Sequence, residues 1–143
     1  MKSKRYTVTA SEGSNVLIEL RLSRTQREMC DEALRLDEVR LDKNVKGVGT
    51  QGACQSWTAR RSRRTVGKTE PNRGNRVVAR VYLNMEYLDT NVFTHEAGHA
   101  AMAYARLKKA NLKVMEGEEV MCYSLGHICA EMGSLLHRIG AFK

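Results

Sequence analysis

Thr90-Asn91-Val92-Phe93-Thr94-His95-Glu96-Ala97-Gly98-His99-Ala100-Ala101 is the stretch whose reading decides most about this chain. Phe93, Ala97, Ala100, Ala101, Tyr104 and Leu107 recur at steps of three and four, which predicts a helix from about 90 to 109. On a helix, positions four apart lie on one face, a single turn apart. His95 and His99 therefore share a face, and two imidazole nitrogens so placed can reach one zinc ion at ~2.0–2.1 Å. Glu96 follows the first histidine and projects beside it. There it can take a proton from a water acidified by the metal, the role this glutamate has in the H-E-x-x-H pattern. Gly98 costs a helix about 1 kcal/mol relative to alanine, which asks for a reason at that position. With Ala97, Ala100 and Ala101 it predicts that another backbone comes close to this helix.

Working outward, Val77-Val78-Ala79-Arg80-Val81-Tyr82-Leu83 reads as a strand, β-branched at several positions. Downstream, a last helix is predicted from about Glu116 to Ile139, opening on Gly117-Glu118-Glu119-Val120-Met121-Cys122-Tyr123. A catalytic zinc keeps three protein ligands and one open position, so a third ligand is expected from elsewhere in the chain.

The H-E-x-x-H helix, a short connection and a second helix carrying glutamate together resemble the gluzincin clan of metallopeptidases. The resemblance spans about residues 77 to 130. It implies a zincin-like core, a Zn2+ cofactor, Glu96 as general base, and hydrolysis of a peptide or protein substrate. It also implies that the strand Val77 to Leu83 is the edge strand lining the substrate cleft. With no second lobe after the ligand helix, the chain is similar to the minimal zincins found in phages and elsewhere. The third ligand falls to Glu119 or Glu118. Steps of three and four from Glu119 reach Cys122, Tyr123 and Gly126, and from Glu118 they reach Met121, Cys122 and Leu125. Small residues allow close packing on the His95–His99 helix, which favours Glu119. An oxyanion needs a donor besides the metal, and Tyr123 is one candidate, along with Tyr104, Tyr87 and His127.

The N-terminal half is expected to begin with a hairpin, Tyr6–Thr9 and Val16–Leu20 around a turn at residues 11–15. A helix over about 24–40 follows, started by a capping box at Ser23 and Gln26. Residues 46–76 form a glycine-rich, basic loop or hairpin, with a strand around Trp57 between Ala53 and Arg60. The order ββα, ββ, αα predicts a single α+β domain over 1–143, its helices packed on a small antiparallel sheet.

The 143 residues suit one core, and 42% are hydrophobic. The formal net charge of +8 favours polyanionic or acidic partners. Arg60, Arg61, Arg63 and Arg64 crowd together near Trp57, a composition fit for phosphate contacts and base stacking. The alternative reading is therefore a nucleic-acid-binding or inhibitory protein with a structural zinc, set against a plain solvated loop. A structural site has no use for Glu96 and is usually closed by four protein ligands, which favours the peptidase. The four cysteines show no C-x-x-C pair, so reduced thiols are expected, with Cys122 and Cys129 as buried small hydrophobes. His127 reads as a structural helix histidine and His137 as an exposed one. No secretory signal and no membrane span are legible, which points to the cytoplasm.

Overall fold

Residues 3–41, 51–56 and 76–142 are described in a computed structural model of the chain. Strands β1 (Lys4–Thr9) and β2 (Val16–Ser23) form the expected hairpin, pairing antiparallel from Lys4 with Leu22 to Thr9 with Leu17. Helix α1 (Gln26–Asp37) follows, then β3 (Gly52–Ser56) and β4 (Arg76–Asn84). Helices α2 (Thr90–Leu107) and α3 (Met115–Arg138) complete the order. The architecture is α+β, one four-stranded sheet with three helices.

The sheet is mixed, which corrects the antiparallel expectation. Its order is β1-β2-β4-β3, and β4 runs parallel to β2 while β3 runs antiparallel to β4. Parallel neighbours are buried on both faces. Along β2 only Arg21 escapes full burial, and β4 is buried from Val77 to Asn84. The register slips between Leu17 and Ile18, which face Val77 and Ala79, so Val78 is an extra residue in a bulge. On one face, Ile18, Leu20, Val81 and Leu83 join the core with α2 and α3; on the other, Met29, Cys30 and Ala33 of α1 pack on Tyr82. β4 is thus an interior strand, and β3 takes the edge that had been expected of Val77–Leu83.

Helix α1 starts two residues into its expected range and ends three residues short of it. Its N-cap is Thr25, whose hydroxyl accepts from Glu28 N at 3.2 Å, and not Ser23. Ser23 is still in β2, where its carbonyl accepts from Met85 N, and its buried hydroxyl has no partner among the described residues. At the other end of α1, Asp37 accepts from Arg80 Nη1 at 2.7 Å and from the Tyr82 hydroxyl. Arg80 Nε donates to Glu19, which also receives Arg21 Nε at 3.3 Å. Burial works against the charge on Arg80, but Glu19 and Asp37 overcome it and hold the guanidinium ionised. Burial, and then the Asp37 carboxylate, push the Tyr82 phenol up.

Removing one partner of such a buried network leaves the others charged and unmatched. Arg80→Ala is expected to cost about 3–5 kcal/mol of unfolding free energy in urea titrations. Arg24→Ala, which breaks only the surface pair with Glu28, should leave the urea midpoint nearly unchanged.

Candidate active site

Helix α2 carries the site. Asp89 caps it by accepting from Val92 N at 2.7 Å. Val92, Phe93, Ala97, Ala100, Ala101 and Tyr104 are buried on its inner side. His95 and His99 lie on the opposite, exposed side. Their Nε2 atoms are 3.3 Å apart, and the rings meet edge to face with centroids 4.9 Å apart. Two nitrogens bound at ~2.0–2.1 Å to one tetrahedral ion stand about 3.3–3.4 Å apart. The separation of the two nitrogens therefore matches that of two ligands on one zinc ion. The same separation admits a weak imidazole–imidazole hydrogen bond in the metal-free chain.

Glu96 turns to the flank of α2 and is buried, only 6% exposed. Burial pushes its carboxyl up from the ordinary value, and the nearby His95 only partly opposes this. Among the described residues no hydrogen bond reaches that carboxylate. Its cover is the edge strand β3. A Cβ on Gly52 would lie 3.0 Å from Val92 Cγ1 and 3.2 Å from Glu96 Cγ, so the strand sits on the helix at a distance that suits glycine. Two residues on, burial and then the Glu96 charge push the Cys54 thiol up to about 12. At the end of the strand, Ser56 Oγ accepts from Arg106 Nη2 at 3.3 Å. Gly52 and Arg106 were not singled out from the sequence. The only signal available was a glycine inside a strand, and the strand itself was weakly marked.

The third ligand is not gathered in. Glu118 and Glu119 are both exposed in the first turns of α3. Among the described residues no group of three His, Cys, Asp or Glu side chains forms that could hold a metal. His99 stands eight residues, ~12 Å, before the end of α2, and Glu119 four residues, ~6 Å, after the start of α3. The carboxylates therefore sit nearer the connecting turn than the histidines do.

The face chosen for α3 also needs correction. Met121 and Leu125 pack on the core, whereas Cys122 and Gly126 are exposed, and a Cβ at Gly126 would meet nothing within 4 Å. The reason given for Glu119 over Glu118 is therefore gone. Cys122 is exposed rather than a buried small hydrophobe; Cys129 is half-buried against the core. Gly98 likewise has open space around it, and the close approach comes at Gly117, where a Cβ would lie 1.8 Å from the Asn111 carbonyl oxygen. Tyr123 is 72% exposed. His127 is structural, as expected: its Nε2 is 2.7 Å from Thr9 Oγ1 and 3.1 Å from Glu131. All four cysteines are free. Arg60, Arg61, Arg63 and Arg64 lie outside the described residues. No described helix is long and apolar enough to cross a membrane.

No protein-family model, no curated protein and no solved structure matches the chain.

The seam between Gly52 and α2 makes a measurable claim. Gly52→Val adds carbons where Val92 and Glu96 already touch, and should cost about 1–3 kcal/mol. In thiol labelling at pH 8, exposed Cys122 should react well before Cys54, whose high pKa leaves little thiolate. Gly52→Val should speed Cys54 selectively by prising β3 from the helix; an unchanged Cys54 rate would mean that the strand is not seated as described.

Proposed function

We propose that the chain is a zinc-dependent metallopeptidase, with a zincin-like core, in which His95 and His99 hold the ion and Glu96 is the general base. The observation that carries this reading is the 3.3 Å approach of the two Nε2 atoms on a helix whose next residue is a buried carboxylate with a raised pKa. When bound, zinc supplies a Lewis acid that polarises the substrate carbonyl and acidifies water. Glu96 takes one proton from the attacking water, whose oxygen bonds to the carbonyl carbon. It then passes that proton to the departing amine nitrogen as the C–N bond breaks. A carboxyl pushed up by burial suits both halves, because it gives up a proton nearer neutrality than an ordinary glutamate does.

Strand β3 holds the peptide. Among the described residues its outer edge is unpaired, so its N–H and C=O groups are open to an added strand. Glu119 or Glu118 supplies the third ligand, and Tyr123 is the proposed donor to the oxyanion. The first turn of α3 has to approach the histidines for this, and it is the part of α3 nearest the turn at residues 108–114.

Protein stripped with chelator and reloaded is expected to hold one zinc per chain, with His95→Ala and His99→Ala each losing it. Glu96→Gln should keep the zinc while peptide hydrolysis falls at least about a hundredfold. Zinc held no more tightly by the wild type than by a His95→Ala/His99→Ala double variant would end the reading. Chelator competition on Glu118→Ala and Glu119→Ala assigns the third ligand: the true one weakens zinc about 10–100-fold or more, and its neighbour leaves affinity unchanged.

A further inference from the structure

Gly52 abuts Glu96, and Ser56 meets Arg106. Four residues of β3 cover ~13 Å, and the ten residues from Glu96 to Arg106 rise ~15 Å. Strand and helix therefore run side by side in the same direction, with the two histidines near one end of the seam and Arg106 at the other. His95, His99, Met102 and Arg106 follow at steps of four, three and four, so they form one line along the outer side of α2. That line is half-exposed or exposed throughout. Arg106 is exposed, and among the described residues its only hydrogen-bond partner is the neutral hydroxyl of Ser56, with no carboxylate paired to it. Lys108 and Lys109 follow it, both exposed, and Lys108 lies over the Tyr104 ring at 5.7 Å. The whole chain carries +8.

We infer that Arg106 is a specificity-determining residue, binding an acidic side chain of the substrate about three residues from the bond to be cut. This rests on the peptidase reading above. The distance follows from two repeats. His99 and Arg106 are seven residues apart on α2, ~10.5 Å. A peptide added to the free edge of β3 advances ~3.3 Å per residue, so three residues cover the same span. A guanidinium held at that point by Ser56 offers several donors in a plane and matches a carboxylate in both charge and shape. The preferred substrate is then an extended, acidic peptide, which the positive charge of the chain also draws in.

The test is an aspartate scan through a neutral ten-residue peptide. Binding is read by fluorescence anisotropy on zinc-loaded Glu96→Gln protein, and cleavage by mass spectrometry on the wild type. One register should bind about fivefold more tightly than the rest, as one partly exposed ion pair allows. The same aspartate should fall about three residues from the cut. Arg106→Ala, an exposed position that leaves the core alone, should erase the preference, and Arg106→Glu should move it to lysine. Equal binding of every register, or a preference that survives Arg106→Ala, overturns the inference. Register-specific binding that depends on Arg106 without any cleavage sustains the binding site and counts against the peptidase reading alone. If neither binding nor cleavage favours a register, the assignment of Arg106 fails, while the zinc measurements still judge the metal site by themselves.

Discussion

The alanines along the inner side of α2 set the distances on which both the core and the site depend. Ala97, Ala100 and Ala101 are wholly buried, and Ala103 and Ala105 nearly so. With alanine methyl groups over the middle of the interface, between Phe93 and Tyr104, α2 lies close to β4 and β3, and van der Waals contact is kept across a thin layer. Larger residues there would lift the helix, opening the seam at Gly52 and uncovering Glu96. The same helix keeps its outer side free of packing, so His95 and His99 need only helical geometry to meet. Core and site are thus two sides of one element of 18 residues, fixed at its start by the Asp89 cap.

The opposite face of the sheet is built on a different principle. There β2 and β4 present Glu19, Arg80, Tyr82 and Asn84, and α1 covers them with Met29, Cys30 and Ala33 while bringing Asp37 to Arg80. Charges taken out of water are tolerated only when matched, so this network specifies where α1 ends. It also explains why two strands separated in sequence can lie parallel at the centre. Each is covered on both faces, one by apolar packing under α2 and α3 and the other by α1 with its ion pairs.

Much of this was legible in the sequence, for definable reasons. Periodicity marked the hairpin, all three helices and β4, and the spacing of His95 and His99 fixed their common side. Strand order was not legible, because which strands pair is decided by contacts far apart in sequence. Val77–Leu83 reads as continuously apolar apart from Arg80, a pattern that suits an interior strand, yet it was assigned to the edge. The N-cap was misplaced because Ser23-Arg24-Thr25 offers two hydroxyls, and the choice falls to Thr25 only because the sheet keeps Ser23 inside β2. On α3, small size was taken as a mark of contact. Packing rewards bulk where there is room, so Met121 and Leu125 go inward, and Cys122 and Gly126 are left outside. The glycine that tight packing does require is Gly117, where the chain folds back on Asn111.

Glu96 is a position that stability alone does not explain. A carboxyl that is buried, without a hydrogen bond among the described residues, and raised in pKa by that burial destabilises the fold at neutral pH. Linkage gives the sign. A glutamate with a raised folded pKa contributes stability below the ordinary carboxylate range, and that contribution is lost as pH rises through the folded value. A leucine or methionine in the same place would pack against Val92 and Leu83 with no such loss. Arg80 shows what the chain does with a buried charge that serves structure, which is to surround it with opposite charges and hydrogen bonds. Glu96 receives no such treatment, although it stands one residue from a histidine pair whose spacing matches a metal. On the proposed peptidase reading this matters, because a poorly solvated carboxylate is a stronger base than a matched one. The feature that weakens the fold at this position is therefore the one that proton transfer would need in the proposed peptidase.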